Sequence, residues 1–319
     1  MARLTPTSRP TNLLLDSLPA EDRARVLAAC ERVELTFGQI LAKPGDAIRH
    51  IYFPTESFIS LLTPMGGGSN LEVALTGNEG AYGIPLALGV GISPVLALVQ
   101  GSGPAWRMSA ATFRRELAQI PSLRSCIDRY VYVLMSQLIQ TAGCNRFHVV
   151  KQRVARWLLM TGDRSHSPTF HITHEFLAFM LGVRRVGITE AASALQDRKL
   201  IGYERGAMTI RNRKGLERAS CSCYRSDLAT YERVFGLERQ ASEPARRHRS
   251  ESSSMRLPRP LERCALRGSS SIEKAATHET GNQRRPGREH AARRRAIDHH
   301  LVGQPIQQVQ RGRAPIREA

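Results

Sequence analysis

Residues 171–210 read HITHEFLAFMLGVRRVGITEAASALQDRKLIGYERGAMTI, and no other stretch of the chain restricts its fold so tightly. The pattern predicts a helix, a tight turn, a second helix and a short β-hairpin. The first helix starts near Thr173, whose hydroxyl can cap an orphan amide, with Glu175 in the positive first turn. Phe176, Leu177, Met180 and Leu181 give that helix an apolar face at helical spacing. Gly182 ends it, because the reversal needs a backbone that tolerates positive φ. The second helix, roughly 184–198, buries Ile188, Ala191, Ala192 and Leu195. Ala178 is small where two helices cross closely, so Ala178, Gly182 and Ile188 are the packing residues of a helix-turn-helix. That arrangement presents Arg184, Arg185 and Thr189 outward, at the end of the helix that enters the major groove in this motif. Leu200-Ile201 and Met208-Thr209-Ile210, separated by Glu204-Arg205-Gly206, suit a winged hairpin beside it.

An ordinary helical hairpin has similar spacing, and charge separates the two readings. Residues 146–218 carry 14 Lys and Arg against 6 Asp and Glu, a net of +8, whereas residues 1–145 carry 12 against 11, a net of +1. The excess falls on the motif, as a polyanion binder requires. The whole chain, 319 residues with a formal charge of +18, has room for two domains and an extension.

Several other chemistries are disfavoured. Cys30, Cys126, Cys144, Cys221, Cys223 and Cys264 are scattered, unlike a secreted disulfide framework. Cys221-Ser222-Cys223 is the one close pair, and without a second pair in sequence no metal site is expected there. Residues 80–106 lack charge but contain Pro85, Gly89, Gly91, Pro94, Gly101, Gly103 and Pro104, too many breakers for a membrane span. Short buried strands around a brief helical turn are predicted instead. The N-terminus lacks a long apolar core and resembles no signal peptide, so a cytoplasmic protein is expected.

In chain order, residues 12–33 read as helix, with Leu14, Leu18, Val26, Leu27 and Cys30 as a stripe. Short strands follow from Glu34: around Leu35, Phe37 and Ile40-Leu41, then Ile51-Tyr52-Phe53, then residues 58–62, 71–75, 95–100 and 105–108. Pro44-Gly45-Asp46 is a turn, and residues 66–70, GGGSN, form a hairpin loop rather than a phosphate loop, since Gly-Lys-Ser/Thr is missing. Many short strands at close intervals predict a small barrel or double sheet. Helix returns at 110–117, and a long helix starts at Pro121. Ile127, Val131, Leu134, Leu138 and Thr141, spaced four, three, four and three, form a heptad seam over barely two heptads. Dimerisation along it is the preferred reading, with packing inside one chain as the alternative. Residues 149–161 form an amphipathic helix with Val154, Trp157, Leu158 and Leu159 inward.

Taken together, Pro44-Gly45-Asp46 before Ile51-Tyr52-Phe53, the long helix, LAFMLGVRRVGITEAASALQ and the wing resemble the Crp/Fnr family of bacterial transcription regulators, over about residues 14–235. The resemblance implies an α+β chain: a cyclic-nucleotide-binding-like sensory β-roll (double-stranded β-helix) at 12–120, a dimerisation helix at 121–146, and a winged helix-turn-helix DNA-binding domain at 147–236. A disordered Arg-rich tail at 237–319 lies beyond it. The implied protein is no enzyme. It is a homodimeric regulator of a palindromic site, with duplex DNA, a second copy and RNA polymerase as partners.

Two departures shape the expectations. Cyclic-nucleotide members carry a Gly-Glu pair, then an Arg with Ser or Thr that grips the cyclic phosphate. The matching stretch here, from Gly83 to Leu88 and from Ile92 to Leu96, offers neither carboxylate nor guanidinium. An unpaired buried phosphate would be costly, so no cAMP or cGMP binding is expected. The first 29 residues hold no cysteine, which leaves the iron–sulfur cofactor of the oxygen sensors unsupported, and no cofactor is assigned. In the reading helix the usual Arg-Glu pair becomes Arg185-Val186, and the family's later Arg becomes Glu190. Val186 can touch a thymine methyl but cannot accept from cytosine. Arg185 is therefore assigned to guanine, and Thr173, Arg184, Thr189 and Arg205 to phosphates or adjacent bases.

The tail holds 17 Arg and 1 Lys against 9 Asp and Glu, no aromatic residue, and 11 Leu, Ile and Val in 83 residues, too few for a core. It reads as an electrostatic arm, an inert extension, or the product of a reading-frame change. Two rival functions remain. A β-roll metalloenzyme would draw on His166, His171, His174 and Glu175, but these lack the four-residue His spacing of a zinc-protease helix. A nucleic-acid binder without sequence specificity would show no preference for a two-fold site.

Overall fold

The computed structural model describes residues 11–66, 69–165, 169–204 and 206–241. The expectations for residues 242–319, and for His166 and Arg205, lie outside the described residues.

The chain enters through two short helices, α1 (Leu13–Asp16) and α2 (Ala20–Ala28). The sequence reads as helical over 12–33 with a helix start at Leu18-Pro19-Ala20-Glu21-Asp22; α2 does start there, after Pro19, but it ends at Ala28 rather than near Val33, because β1 already pairs from Glu31. Asn12 anchors the entry. Its buried Nδ2 donates to the carbonyls of Pro54 and Gly80, each at 2.9 Å, while its Oδ1 accepts from the amides of Leu14 and Leu15.

Seven strands follow: β1 (Glu31–Leu35), β2 (Ile40–Ala42), β3 (His50–Pro54), β4 (Phe58–Gly66), β5 (Ser69–Thr76), β6 (Leu96–Gly101) and β7 (Gly103–Ser109). They form two antiparallel sheets, ordered β1-β7-β3 and β2-β6-β4-β5. This is the predicted double sheet. Strand β1 begins at Glu31, earlier than expected, and the uncharged stretch contains a 3-10 turn, Ile84–Leu88, as the brief helical turn required. Inside the roll Leu35, Ile59, Ala97, Val99 and Ala105 pack together, so the alternation of these strands has an interior to serve.

Helix α3 (Ala110–Gln119) is capped by Ser109, whose hydroxyl accepts from the Thr112 amide at 3.1 Å. Helix α4 (Pro121–Phe147) begins with proline at its first position, where no donor is missed. Its burial divides the seam read from the sequence, leaving Leu138 exposed and turning the other members toward this chain's own core. Ile127 is fully buried in this chain's own core, with Val131 and Leu134 packed partly against that core. The large apolar residues that α4 exposes are Tyr132, Met135, Leu138 and Ile139 along its middle and Phe147 at its end. Both stripes repeat at helical spacing, and only packing chooses which faces inward.

The remainder comprises α5 (Val150–Ser165), β8 (Thr169–His171), α6 (His174–Leu181), α7 (Arg185–Asp197), β9 (Ile201–Glu204), β10 (Ala207–Ile210), α8 (Arg213–Ala219) and α9 (Cys223–Ala241). Strands order as β8-β10-β9, so the wing is three-stranded rather than a bare hairpin. Helix α9 crosses the boundary placed at 236, and Tyr231, Val234 and Phe235 return against the core under α4. One hydrophobic core joins the two halves. Leu62, Leu96 and Leu98 of the roll pack with Trp157 of α5 and Phe176, Leu177 and Leu181 of α6. Each such side chain contributes about 1.5–3 kcal/mol of burial, so the docking is an extensive one. Among the described residues, no helix is long and apolar enough to cross a membrane.

Candidate nucleic-acid interface

The first helix of the motif, α6, starts as its sequence demands. Thr173 has extended backbone, and its Oγ1 accepts from the Phe176 amide at 3.0 Å. Glu175 lies in the first turn, where the helix dipole favours an acid. At the other end Gly182 adopts φ 61° and ψ 39°, the left-handed cap that the reversal requires. A second constraint also holds this position to glycine. A Cβ there would lie 3.2 Å from Leu71 Cδ1 and 3.3 Å from the Asn70 carbonyl on β5. The turn of the motif is thus pressed onto the β-roll.

Helix α7 is amphipathic in the expected sense. Ile188 and Leu195 are fully buried, with Ala191 and Ala192 beside them and Ala178 buried on the facing helix. Arg184, Arg185, Val186, Thr189 and Glu190 are exposed together at the N-terminal end. Val186, at 62% exposure, is a large apolar side chain displayed where its packing gains nothing. Arg184 occupies the N-cap with extended backbone and makes no side-chain capping bond, so α7 opens without a side-chain acceptor for its first amides.

Behind this tip sits a small polar support. Thr189 Oγ1 donates to the Arg185 carbonyl at 3.2 Å, and His174 Nδ1 meets the same hydroxyl at 3.1 Å. The His174 ring stacks on Tyr203 of the wing, with centroids 4.5 Å apart. Burial, with the neighbouring Arg185 charge, lowers the His174 pKa and favours the neutral ring. Recognition helix, first helix and wing therefore share one contact. Sequence reasoning missed it, because His174 and Tyr203 carry no motif spacing. Thr173 is committed to capping and Thr189 is half engaged by His174, so both offer less free hydrogen-bonding capacity than Arg184 or Arg185. Among the described residues those of the metalloenzyme alternative do not converge here: His171 is an exposed residue of β8, and His174 is occupied by Thr189 and Tyr203.

Residues 152–219 match the model of the Crp-like helix-turn-helix domain. The described chain also superposes on solved regulators. One is the c-di-GMP responsive global regulator CLP of Xanthomonas campestris (TM-score 0.51, 16% identity, 60% of this chain and 99% of that one). Others are a crp/fnr-family putative transcriptional regulator from Eubacterium rectale (0.52, 16%, 65% and 96%) and FixK2 from Bradyrhizobium japonicum (0.52, 11%, 60% and 98%). The fold is that of the Crp/Fnr regulators. Among curated proteins, nothing matches. The Crp/Fnr architecture accounts for the order of roll, long helix and winged helix-turn-helix, and the Crp-like domain coincides with α5–α8.

One expectation about chemistry needs correction. Cys221 and Cys223 were judged to lack a second ligand pair. The structure supplies one from 77 residues earlier in the chain: Cys144 Sγ lies 3.5 Å from Cys221 Sγ, and His148 Nδ1 lies 3.4 Å from Cys223 Sγ. No sequence window short enough to scan for ligand spacing spans that separation. Hydrogen bonding from Cys221 and the Arg156 charge nearby pull the Cys144 thiol down to about 5, while the same contact pushes Cys221 up. The contact couples the titration of the two thiols.

Proposed function

We propose that this protein is a cytoplasmic, sequence-specific DNA-binding transcription regulator that acts as a homodimer on a palindromic site and contacts RNA polymerase there. The observation that carries the reading is the tip of α7. Arg184, Arg185, Val186 and Thr189 are exposed side by side, on a helix whose opposite face is fixed by Ile188, Ala191 and Leu195. A helix held this rigidly presents its side chains in one register, which base readout needs. Arg185 takes a guanine edge, Val186 a thymine methyl, and Arg184 with the uncapped first amides of α7 takes phosphates.

Dimerisation is assigned to α4 through its exposed face of Tyr132, Met135, Leu138 and Ile139. A two-fold protein reads half-sites about one helical turn apart. The signal acts by shifting the equilibrium between dimers whose reading helices do or do not match that spacing. Neither cAMP nor cGMP is that signal, since residues 80–106 contain no charged side chain to grip a cyclic phosphate.

Genome-wide mapping of bound sites followed by footprinting of one of them tests the proposal. The expected result is a two-fold footprint with half-sites one turn apart. Equal protection of scrambled duplexes would favour the non-specific nucleic-acid binder. A saturable cAMP isotherm in the micromolar range would overturn the exclusion of that nucleotide.

A further inference from the structure

Four ligating side chains converge where the long helix meets the DNA-binding domain. Cys144 lies in the last turn of α4, and His148 is its C-cap, whose amide donates to the Cys144 carbonyl at 3.1 Å. Cys221 and Cys223 flank Ser222 at the start of α9. The three sulfurs and one ring nitrogen all lie within 4.8 Å of one another, and the three cysteines are buried. Four ligands placed tetrahedrally about 2.3 Å from one ion are about 3.8 Å apart, so the 3.5 Å and 3.4 Å contacts are near the edges of such a tetrahedron. A polynuclear iron–sulfur cluster would hold its terminal ligands farther apart than this.

The surroundings suit a thiolate-rich ion. Gln140 Nε2 approaches Cys223 Sγ at 3.0 Å, a donor to a sulfur that already has a ligating direction. A divalent ion with three thiolates and a neutral imidazole carries a net single negative charge. Arg153 and Arg156 are buried within electrostatic reach of Cys144 and Cys221. Arg156 also pairs with Asp227 at 2.7 Å, but among the described residues no carboxylate pairs with Arg153, which donates to the Leu181 carbonyl. Thiolates at Cys144 and Cys221 would supply the charge that Arg153 lacks.

We propose that Cys144, His148, Cys221 and Cys223 form a structural zinc site that clips the base of the DNA-binding domain. The ligand set is soft and closed, the combination that selects zinc over harder divalent ions. The two ligand pairs flank the Crp-like domain at 152–219, so one ion closes the loop that contains the entire reading unit. Because the unfolded chain has no such preformed site, metal binding is coupled to the folding of that unit and to its placement on α4.

The test uses the full chain, purified reduced and without chelator. About one zinc per chain is expected by elemental analysis, with a lower unfolding temperature after chelation and recovery on adding zinc back. Cobalt titrated into the metal-free protein should give tetrahedral visible bands and thiolate-to-cobalt charge transfer. His148 is only half-buried, so its variants separate ligation from folding. His148→Ala should weaken cobalt binding by more than about tenfold, the lower bound for losing even a supporting partner, and His148→Cys should restore it. Cys221→Ser with Cys223→Ser should abolish the charge-transfer band. A folded, reduced protein with no zinc and no cobalt spectrum would overturn the site. So would a native Cys144–Cys221 disulfide, and iron or copper in place of zinc would overturn the ion assigned.

Discussion

A single carboxylate oxygen, Glu79 Oε1, lies 2.6 Å from Arg164 Nη2 and accepts from Arg164 Nε at 2.8 Å, so the β-roll is ionically fastened to the helix that opens the Crp-like domain. The side chains are 17% and 9% exposed, which places the pair out of bulk water. Glu79→Gln should therefore cost about 3–5 kcal/mol, because it strands a buried guanidinium. Denaturant unfolding reads this directly. An unchanged midpoint would show that the pair does not hold the two parts together.

Arg185 is exposed, and its side chain makes no hydrogen bond or ion pair among the described residues. Arg185→Ala should leave thermal stability within about 0.5 kcal/mol, as surface changes do. On the specific site it should cost about 1–3 kcal/mol of binding, with little loss on random duplex. Competition binding with mapped and scrambled sites distinguishes the two. Equal losses on both would demote Arg185 to a phosphate contact.

The two faces of α4 make opposite predictions. Ile139 is 71% exposed and Met135 56%, so Ile139→Glu with Met135→Glu should yield a folded monomer in sedimentation. Ile127 is fully buried within one chain, so Ile127→Ala should cost about 2–5 kcal/mol of folding stability while leaving the exposed face intact. A dimer that survives both glutamates would move the interface elsewhere.

Glu72 provides a pH test. Burial pushes its carboxyl pKa up to about 7 from the ordinary 4.5, outweighing the lowering influence of the nearby Ser60 hydroxyl, Arg164 charge, Trp157 indole and Arg156 charge. The unfolded chain gives up this proton first, so stability is highest below about pH 4.5 and falls as pH rises to about 7. The loss is at most about 3 kcal/mol by linkage. Glu72→Gln, which stays neutral, should flatten the profile over that window in urea unfolding. A wild-type profile that rises between pH 5 and pH 7, with or without the variant, would place the ionised form inside the protein.

Much of the reading surface was legible in the sequence because its causes are local. Thr173 caps within three residues, Gly182 turns on its own backbone angles, and Ile188, Ala191 and Leu195 mark one face by period alone. The double sheet followed from alternation and turn residues for the same reason. The missed features depend on distant partners. The third wing strand, Thr169–His171, is too short to announce itself and exists through its pairing with β10. The support of Thr189 by His174 and Tyr203 likewise needs three elements to meet.

From its sequence alone this chain determined where most of its helices and turns begin, and which helix offers arginines to solvent, since those depend on spacing, capping and backbone preference over a few residues. Tertiary structure decided which stripe of α4 is core and which is surface, because two stripes of similar period compete and only the packed neighbours of Ile127 choose between them. It also decided that Cys144 and His148 stand beside Cys221 and Cys223. Ligands 77 residues apart become neighbours only once the domain between them has folded and brought its two ends together.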